Sequence, residues 1–489
     1  MVKKVPLDNT EELYFETFED FIEDGDKNAG LQIKRKQEKT KLFTNEFGKE
    51  TIKASQQGNL KQLRKLYSIL CHCDIENAQK YDLETHYRNS LDIALAEITK
   101  DFKTKLGKKL DKSTKWKSYE KKVRIFLKNT ATLLSGAGIA PEVYINISNC
   151  LKKLAKLLKL FPNQAQILVG QISRIFVEQS ADVKLAFLSF IKKAACVKSI
   201  EPGYALEVLF HAIAKKWKIM PSESQEDIEL MRTYFIDLFS VNLEAGLQFV
   251  RNYANKLELY LAKASRGSAK SKIIYNWQFF NSISLISHLI ISYPKQFSQI
   301  SPSIIQILHN LFQANQAQKY SPLKLHIIKL LIILQYNLDR YIPGISSYVL
   351  EIITNPALQK RSKTNRCTEF SLASMLKVNK EQLTSDVFKE KIIEESCRAL
   401  LEHIAYFGNS IAFPEVSLPI KLALKKSIKD TKNAAIKNKI SHTVKLIEEN
   451  SRFIEKKRNG IFGPIMAASN NIEGKIPLST HKQGVSKDK

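Results

Sequence analysis

The chain has 489 residues, more than one compact core usually holds, so it is either two or three domains or one long repeat array. Apolar residues make up 44%, which excludes a disordered chain, and 17 glycines and 14 prolines are too few for the turns of a sheet protein. Lys plus Arg is 76 against 49 Asp plus Glu, a formal net charge of +27 that favours a polyanion as partner, although a merely solvated lysine-rich surface gives the same balance.

The first 26 residues form an acidic arm interrupted by Tyr14, Phe15, Phe18 and Phe21. Phe15, Phe18 and Phe21 share one helix face, the pattern of a docking segment for a basic groove of this protein or of a partner. The arm has no apolar core like that of a secretory signal, so none is expected. A basic linker follows at Lys34, Arg35, Lys36, Lys39 and Lys41. From about residue 59 the period is helical: Leu60, Leu63, Leu66, Tyr67 and Leu70 fall on one face. Leu151, Leu154, Leu157, Leu158 and Phe161 repeat the pattern, and so do Ile420, Leu424 and Ile428. Prolines at 141, 162, 202, 221, 294, 322, 343, 356 and 414 separate the helical runs, often at intervals near twenty residues or twice that. The fold predicted is all-α, a HEAT/armadillo-like array of helix pairs (an α-solenoid), from period alone. No run alternates as a strand would. The expected organisation is an arm and linker over 1–58, an array over 59–463 and a disordered tail over 464–489. The stretches 101–122, 263–272 and 360–366 read as loops or linkers.

The six cysteines, at 71, 73, 150, 196, 367 and 397, are too sparse for a disulfide framework and read as reduced thiols. The most apolar stretch, 323–338, is too short to span a bilayer and carries Lys324, His326 and Lys329. There is no phosphate-binding glycine loop, no dinucleotide fingerprint and no nucleophile elbow. Cys71, His72 and Cys73 lack the second ligand pair a zinc site needs. His288, His309 and His326 lie in apolar helical runs, as packed or solvent-edge residues do. No enzyme, metal, cofactor or small-molecule substrate is expected. The basic stretch with Lys103, Lys105, Lys108, Lys109, Lys112 and Lys115 also holds Trp116 and Tyr119, which can stack on unpaired bases. An ordinary amphipathic helix has the same look. Lys34–Lys36 and Lys456–Arg458 are short candidate nuclear-import runs.

Four blocks carry a more specific signal. The first, IIYNWQFFNSISLISHLI over 273–290, contains Tyr275, Asn276, Trp277, Gln278 and Phe279. The second is SPLKLHIIKLLIIL followed by YIPG, with Ile342 and Pro343. The third, NSIAFPEVSLPIKLALKKSIK, contains Phe413, Pro414, Glu415 and Pro419. The fourth, ENSRFIEKKRNGIFGP, contains Asn450, Ser451, Phe453, Lys457, Arg458 and Pro464. In this order they resemble the nucleolar complex protein 2 family, most closely over 204–464. Set against the family pattern, the chain is expected to be without the long charged extensions of larger relatives.

The resemblance implies a HEAT-like array without catalysis that serves assembly, maturation and intranuclear transport of pre-60S ribosomal particles. It implies a nucleolar and nucleoplasmic location, contact with pre-rRNA, and heterodimers with the sister nucleolar complex proteins 1 and 3. Tyr275, Asn276, Trp277, Gln278 and Phe279 then fill a core or meet a partner, and Phe413, Pro414 and Glu415 start a helix. Arg452, Lys456, Lys457 and Arg458 are the candidate RNA- or partner-facing cluster. A helical-repeat nuclear transport adaptor is the alternative; such arrays tend to be longer and acidic.

Overall fold

The structure, a computed structural model, describes residues 124, 127, 130–131, 134, 141–153, 155–158, 161–197, 203–219, 225–265, 274–314, 317–360, 370–458 and 476–481. Among them all regular structure is helical and no strand forms. The described residues fall into two compact units, one reaching Ile219 and resuming over Gln225–Val250, the other beginning at Arg251.

The first unit contains α1 (Pro141–Lys153), α2 (Ala155–Leu158), α3 (Pro162–Phe176), α4 (Ala181–Ala195), α5 (Tyr204–Ile219) and α6 (Gln225–Phe239). It also holds the first eight residues of α7 (Leu243–Ser265). Here α1 packs chiefly on α4, α3 meets both α4 and α5, and α4 meets α5 and α6. Two layers result, with Phe176, Phe187, Phe190, Phe210, Trp217 and Phe235 enclosed between them. Polar ties link successive helix pairs. Ser148 Oγ donates to the Ala186 carbonyl at 2.6 Å, Lys184 pairs with Asp227, and Lys216 pairs with Glu178 at 2.5 Å. These ties span 38 to 43 residues.

The second unit contains the rest of α7, then α8 (Trp277–Ser292), α9 (Ser301–Ala314), α10 (Ser321–Asn337), α11 (Ile345–Ile353) and α12 (Pro356–Gln359). It continues with α13 (Lys380–Thr384), α14 (Asp386–Tyr406), α15 (Phe413–Asp430) and α16 (Ala434–Arg458). Here α8, α10, α14 and α16 pack in succession, with the short α12 and α13 set aside, and α9, α11 and α15 cover them. Ties again span 39 to 45 residues, from Tyr275 to Ala314, His309 to Tyr348, Lys439 to Glu394 and Arg458 to Glu415.

Proline marks the starts of α1, α3, α10, α12 and α15, where its missing N–H costs nothing. Pro419, however, lies inside α15. The apolar stretch at 323–338 is α10, buried on nearly every side. No helix among the described residues is long and apolar enough to cross a membrane. Of the loop expected over 263–272, residues 263–265 instead end α7, and residues 266–272 lie outside the described residues. Within the tail expected to be disordered, residues 476–481 form a turn that buries Ile476 and Leu478. Ile476 packs against Gly408, where an added Cβ would stand 2.7 Å from its Cδ1. Two apolar residues around one proline are too short a pattern to register as periodicity.

Candidate functional site

The first block builds the entrance to α8. Asn276 is extended and its Oδ1 accepts from Phe279 N at 2.8 Å, an N-cap that satisfies one of the four free N–H groups of the first turn. Tyr275 stacks on Tyr320 with centroids 4.3 Å apart, and its hydroxyl donates to the Ala314 carbonyl at 3.3 Å. Trp277 meets the edges of Phe280 and His326. Gln278 and Phe279 are buried. Of the serines that make α8 look polar, Ser282, Ser287 and Ser292 donate to carbonyls one turn back. Thus Gln278 and Phe279 are core residues, while Tyr275, Asn276 and Trp277 are half-buried at its rim.

The second block positions α11. Ile342 is buried, and Gly344 adopts φ +88 at the N-cap of α11, a left-handed conformation that disfavours a side chain. Gln335 on α10 accepts from Ile342 N and donates to the His403 carbonyl at 3.3 Å. His326 is half-buried and hydrogen-bonds the Met375 carbonyl at 3.0 Å, and desolvation pushes its pKa down to about 4. His309 meets the Tyr348 hydroxyl, and His288 the Ser284 carbonyl. All three histidines therefore have packing roles.

The third and fourth blocks meet in the α15–α16 hairpin. Phe413 is buried at the start of α15, with Pro414 in the first turn. Arg458, at the end of α16, donates to Glu415 at 2.7 Å and to the Ile411 carbonyl at 3.4 Å. Burial alone would raise the Glu415 carboxyl, but Arg458 holds it below the usual range. Asn450 donates to the Gly408 carbonyl at 2.9 Å. The basic cluster accordingly divides. Arg458 is a structural tie, Arg452 reaches Glu448 only at 4.0 Å, and Lys456 and Lys457 are exposed. Cations here also complement the negative end of α16.

Lys103, Lys105, Lys108, Lys109, Lys112, Lys115, Phe15, Phe18 and Phe21 lie outside the described residues, as do Cys71, His72, Cys73 and the Leu60–Leu70 face. Among the described residues no three His, Cys, Asp or Glu side chains gather as a metal site. Cys397 is buried and its pKa is raised to about 11 by that burial, the opposite of an activated thiol. Two features escape reading by period. One is the pairing of Glu415 with Arg458 across 43 residues. The other is the set of exposed aliphatics on α15, Val416, Leu418 and Leu422, which interleave with the buried row and show as a second apolar face.

Comparison with known proteins follows the same blocks. The model of the Noc2p family matches residues 203–471, more than half of the chain. The chain is 24% identical over 355 residues to nucleolar complex protein 2 of Drosophila melanogaster, covering 71% of this chain and 46% of that protein. It is 29% identical over 348 residues to an uncharacterized NOC2 family protein of Schizosaccharomyces pombe, covering 67% and 63%. It is 23% identical over 385 residues to nucleolar complex-associated protein 2 of Arabidopsis thaliana, covering 74% and 49%. The alignments thus take in 46% to 63% of the length of these relatives. Family model and motif blocks coincide, and the chain belongs to the Noc2p family.

Proposed function

We propose that this chain is a non-catalytic ribosome-biogenesis factor of the nucleolus, a helical scaffold for maturing pre-60S particles that accompanies them into the nucleoplasm. The observation that carries the reading is the family match over 203–471, which contains all the motif residues of α8, α15 and α16. The nucleolus is the compartment in the names of two relatives. The net charge of +27 suits a protein working among ribosomal RNA.

The scaffold is a HEAT-like α-solenoid over 59–463. Support comes from next-but-one contacts within each unit, such as α3 with α5 and α8 with α10, and from polar ties at 38 to 45 residues, close to the roughly 40–47 residue period of such repeats. Its partners are sister nucleolar complex proteins 1 and 3, held as heterodimers, together with pre-rRNA. Arg452, Lys456 and Lys457 face RNA or a partner, Lys103, Lys105, Lys108, Lys109, Lys112 and Lys115 contribute further phosphate contacts, and Phe15, Phe18 and Phe21 anchor the N-terminal arm.

The test is to purify the tagged chain from its own cells and identify co-purifying proteins and RNA. Large-subunit precursor rRNA with a sister nucleolar complex protein is the expected result. The sister protein without RNA would point to a heterodimer formed before it joins the particle. Recovery of neither would overturn the proposal.

A further inference from the structure

The α15–α16 hairpin leaves one face uncovered. Toward the core α15 buries Phe413, Ser417, Ile420, Leu424 and Ser427. Away from it, Val416 is 44% exposed, Leu418 44% and Leu422 57%, three of the eight large hydrophobics exposed among the described residues. Ala412 and Pro419 are exposed beside them. At 3.6 residues per turn, Ala412, Val416 and Pro419 form one row and Leu418 and Leu422 the next. Glu415 borders these rows and is held by Arg458; a helix could carry polar residues at all the other positions without cost to its own packing, so the aliphatic patch here points to a contact. The same face turns basic toward its end, with Lys425, Lys426 and Lys429 exposed. Lys425 is paired with Glu448 at 2.7 Å, while among the described residues Lys426 and Lys429 have no carboxylate at ion-pair distance.

We infer that this face of α15 is the docking site for an acidic amphipathic helix of a partner protein, its apolar row laid across Val416, Leu418 and Leu422 and its carboxylates over Lys426 and Lys429. The inference deepens the scaffold reading and rests on it. Charge complementarity selects an acidic occupant. Two adjacent aliphatic rows at helical spacing present the ridges and grooves into which another helix fits, whereas a strand would need an exposed sheet edge. RNA is the poorer match: bases stack on aromatic or guanidinium planes, and the exposed part of this face has aliphatics, lysines and, at its start, the carboxylate of Glu415, which is paired with Arg458.

The test uses the full chain in its own cells with a photocrosslinking amino acid in place of Leu422. The expected product is a crosslink to another polypeptide, at a peptide with net negative charge and apolar residues three or four apart. Lys426→Glu/Lys429→Glu should lower its yield about tenfold at physiological salt, since two ion pairs at the edge of an apolar contact are exchanged for repulsion. The exposed control pair Lys193→Glu/Lys263→Glu should leave it unchanged, and circular dichroism should show equal helicity in all forms. A crosslink to RNA, to lipid, to a second copy of this chain or to its own acidic segment at 11–26 would overturn the inference. So would no crosslink, or one indifferent to the charge reversal. Normal recovery of pre-60S particles alongside such a failure would leave the scaffold reading intact and remove only this docking site.

Discussion

His403 is enclosed on α14 between the rings of Tyr341 and Phe407, with centroids 5.9 and 5.6 Å away, and neither ring nitrogen has a hydrogen-bond partner among the described residues. Burial pushes its pKa down to about 4, and His326 stands at a similar value despite its bond to Met375. Both imidazoles are therefore neutral in the folded chain at neutral pH, while in the unfolded chain they titrate near 6.5. The unfolded state binds more protons between those values, so the stabilisation is complete above pH ~6.5 and is lost as pH falls toward about 4. Each histidine should contribute a slope approaching about 1.4 kcal/mol per pH unit in that window. Urea unfolding of wild type and His403→Phe at pH 7 and pH 5 checks this: the variant should lose less stability on acidification. An equal loss in both proteins would mean that His403 titrates normally. The same scale governs Asn276. Asn276→Ala removes the α8 cap and should cost about 1 kcal/mol, read as a lower melting temperature, and Asn276→Ser should restore most of it.

Among the elements, the corner before α15 gathers contacts from three directions. Ile476 packs on Gly408, Asn450 donates to the Gly408 carbonyl, and Leu478 is fully buried. Leu478→Ala should therefore cost about 2–4 kcal/mol, the usual loss for emptying a well-packed site. Thermal unfolding with a shift below ~1 °C would show the turn to be dispensable. The turn also marks the limit of what sequence periodicity reveals. Helices of fourteen residues or more announce themselves, and Pro162, Pro322 and Pro414 fix three starts within a residue or two, because proline suits a first turn and clashes elsewhere. The division into two units was not legible: it falls inside α7 at Val250, where the helical period runs on and no proline interrupts the chain. Nor was the pairing of Glu415 with Arg458, since nothing local distinguishes that arginine from Arg452 six residues earlier. Only packing tells which cation is spent on structure.

That distinction decides how the charge of the whole molecule should be tested. With a net charge of +27, no single lysine dominates a long-range field, and only cations free to approach phosphate contribute counterion release. Arg452 is 71% exposed along its side chain and Lys456 and Lys457 are exposed, whereas Arg458 is committed to Glu415 and the Ile411 carbonyl. Arg452→Glu/Lys456→Glu/Lys457→Glu should thus weaken particle association, most visibly near physiological salt, with helicity and melting temperature close to wild type. If these cations neutralise RNA phosphates, the dependence of log affinity on log salt should flatten by about 0.9 for each duplex phosphate left unneutralised and by about 0.7 for each single-strand phosphate. Arg458→Glu should behave differently. It places a second carboxylate against Glu415, so it should lower the melting temperature and reduce association only in proportion to the fraction unfolded. Unchanged association of the triple variant at physiological salt would exclude this end of α16 as a contact surface. A triple variant that melts early, in contrast, would mean that Arg452 or the two lysines hold the hairpin together as Arg458 does.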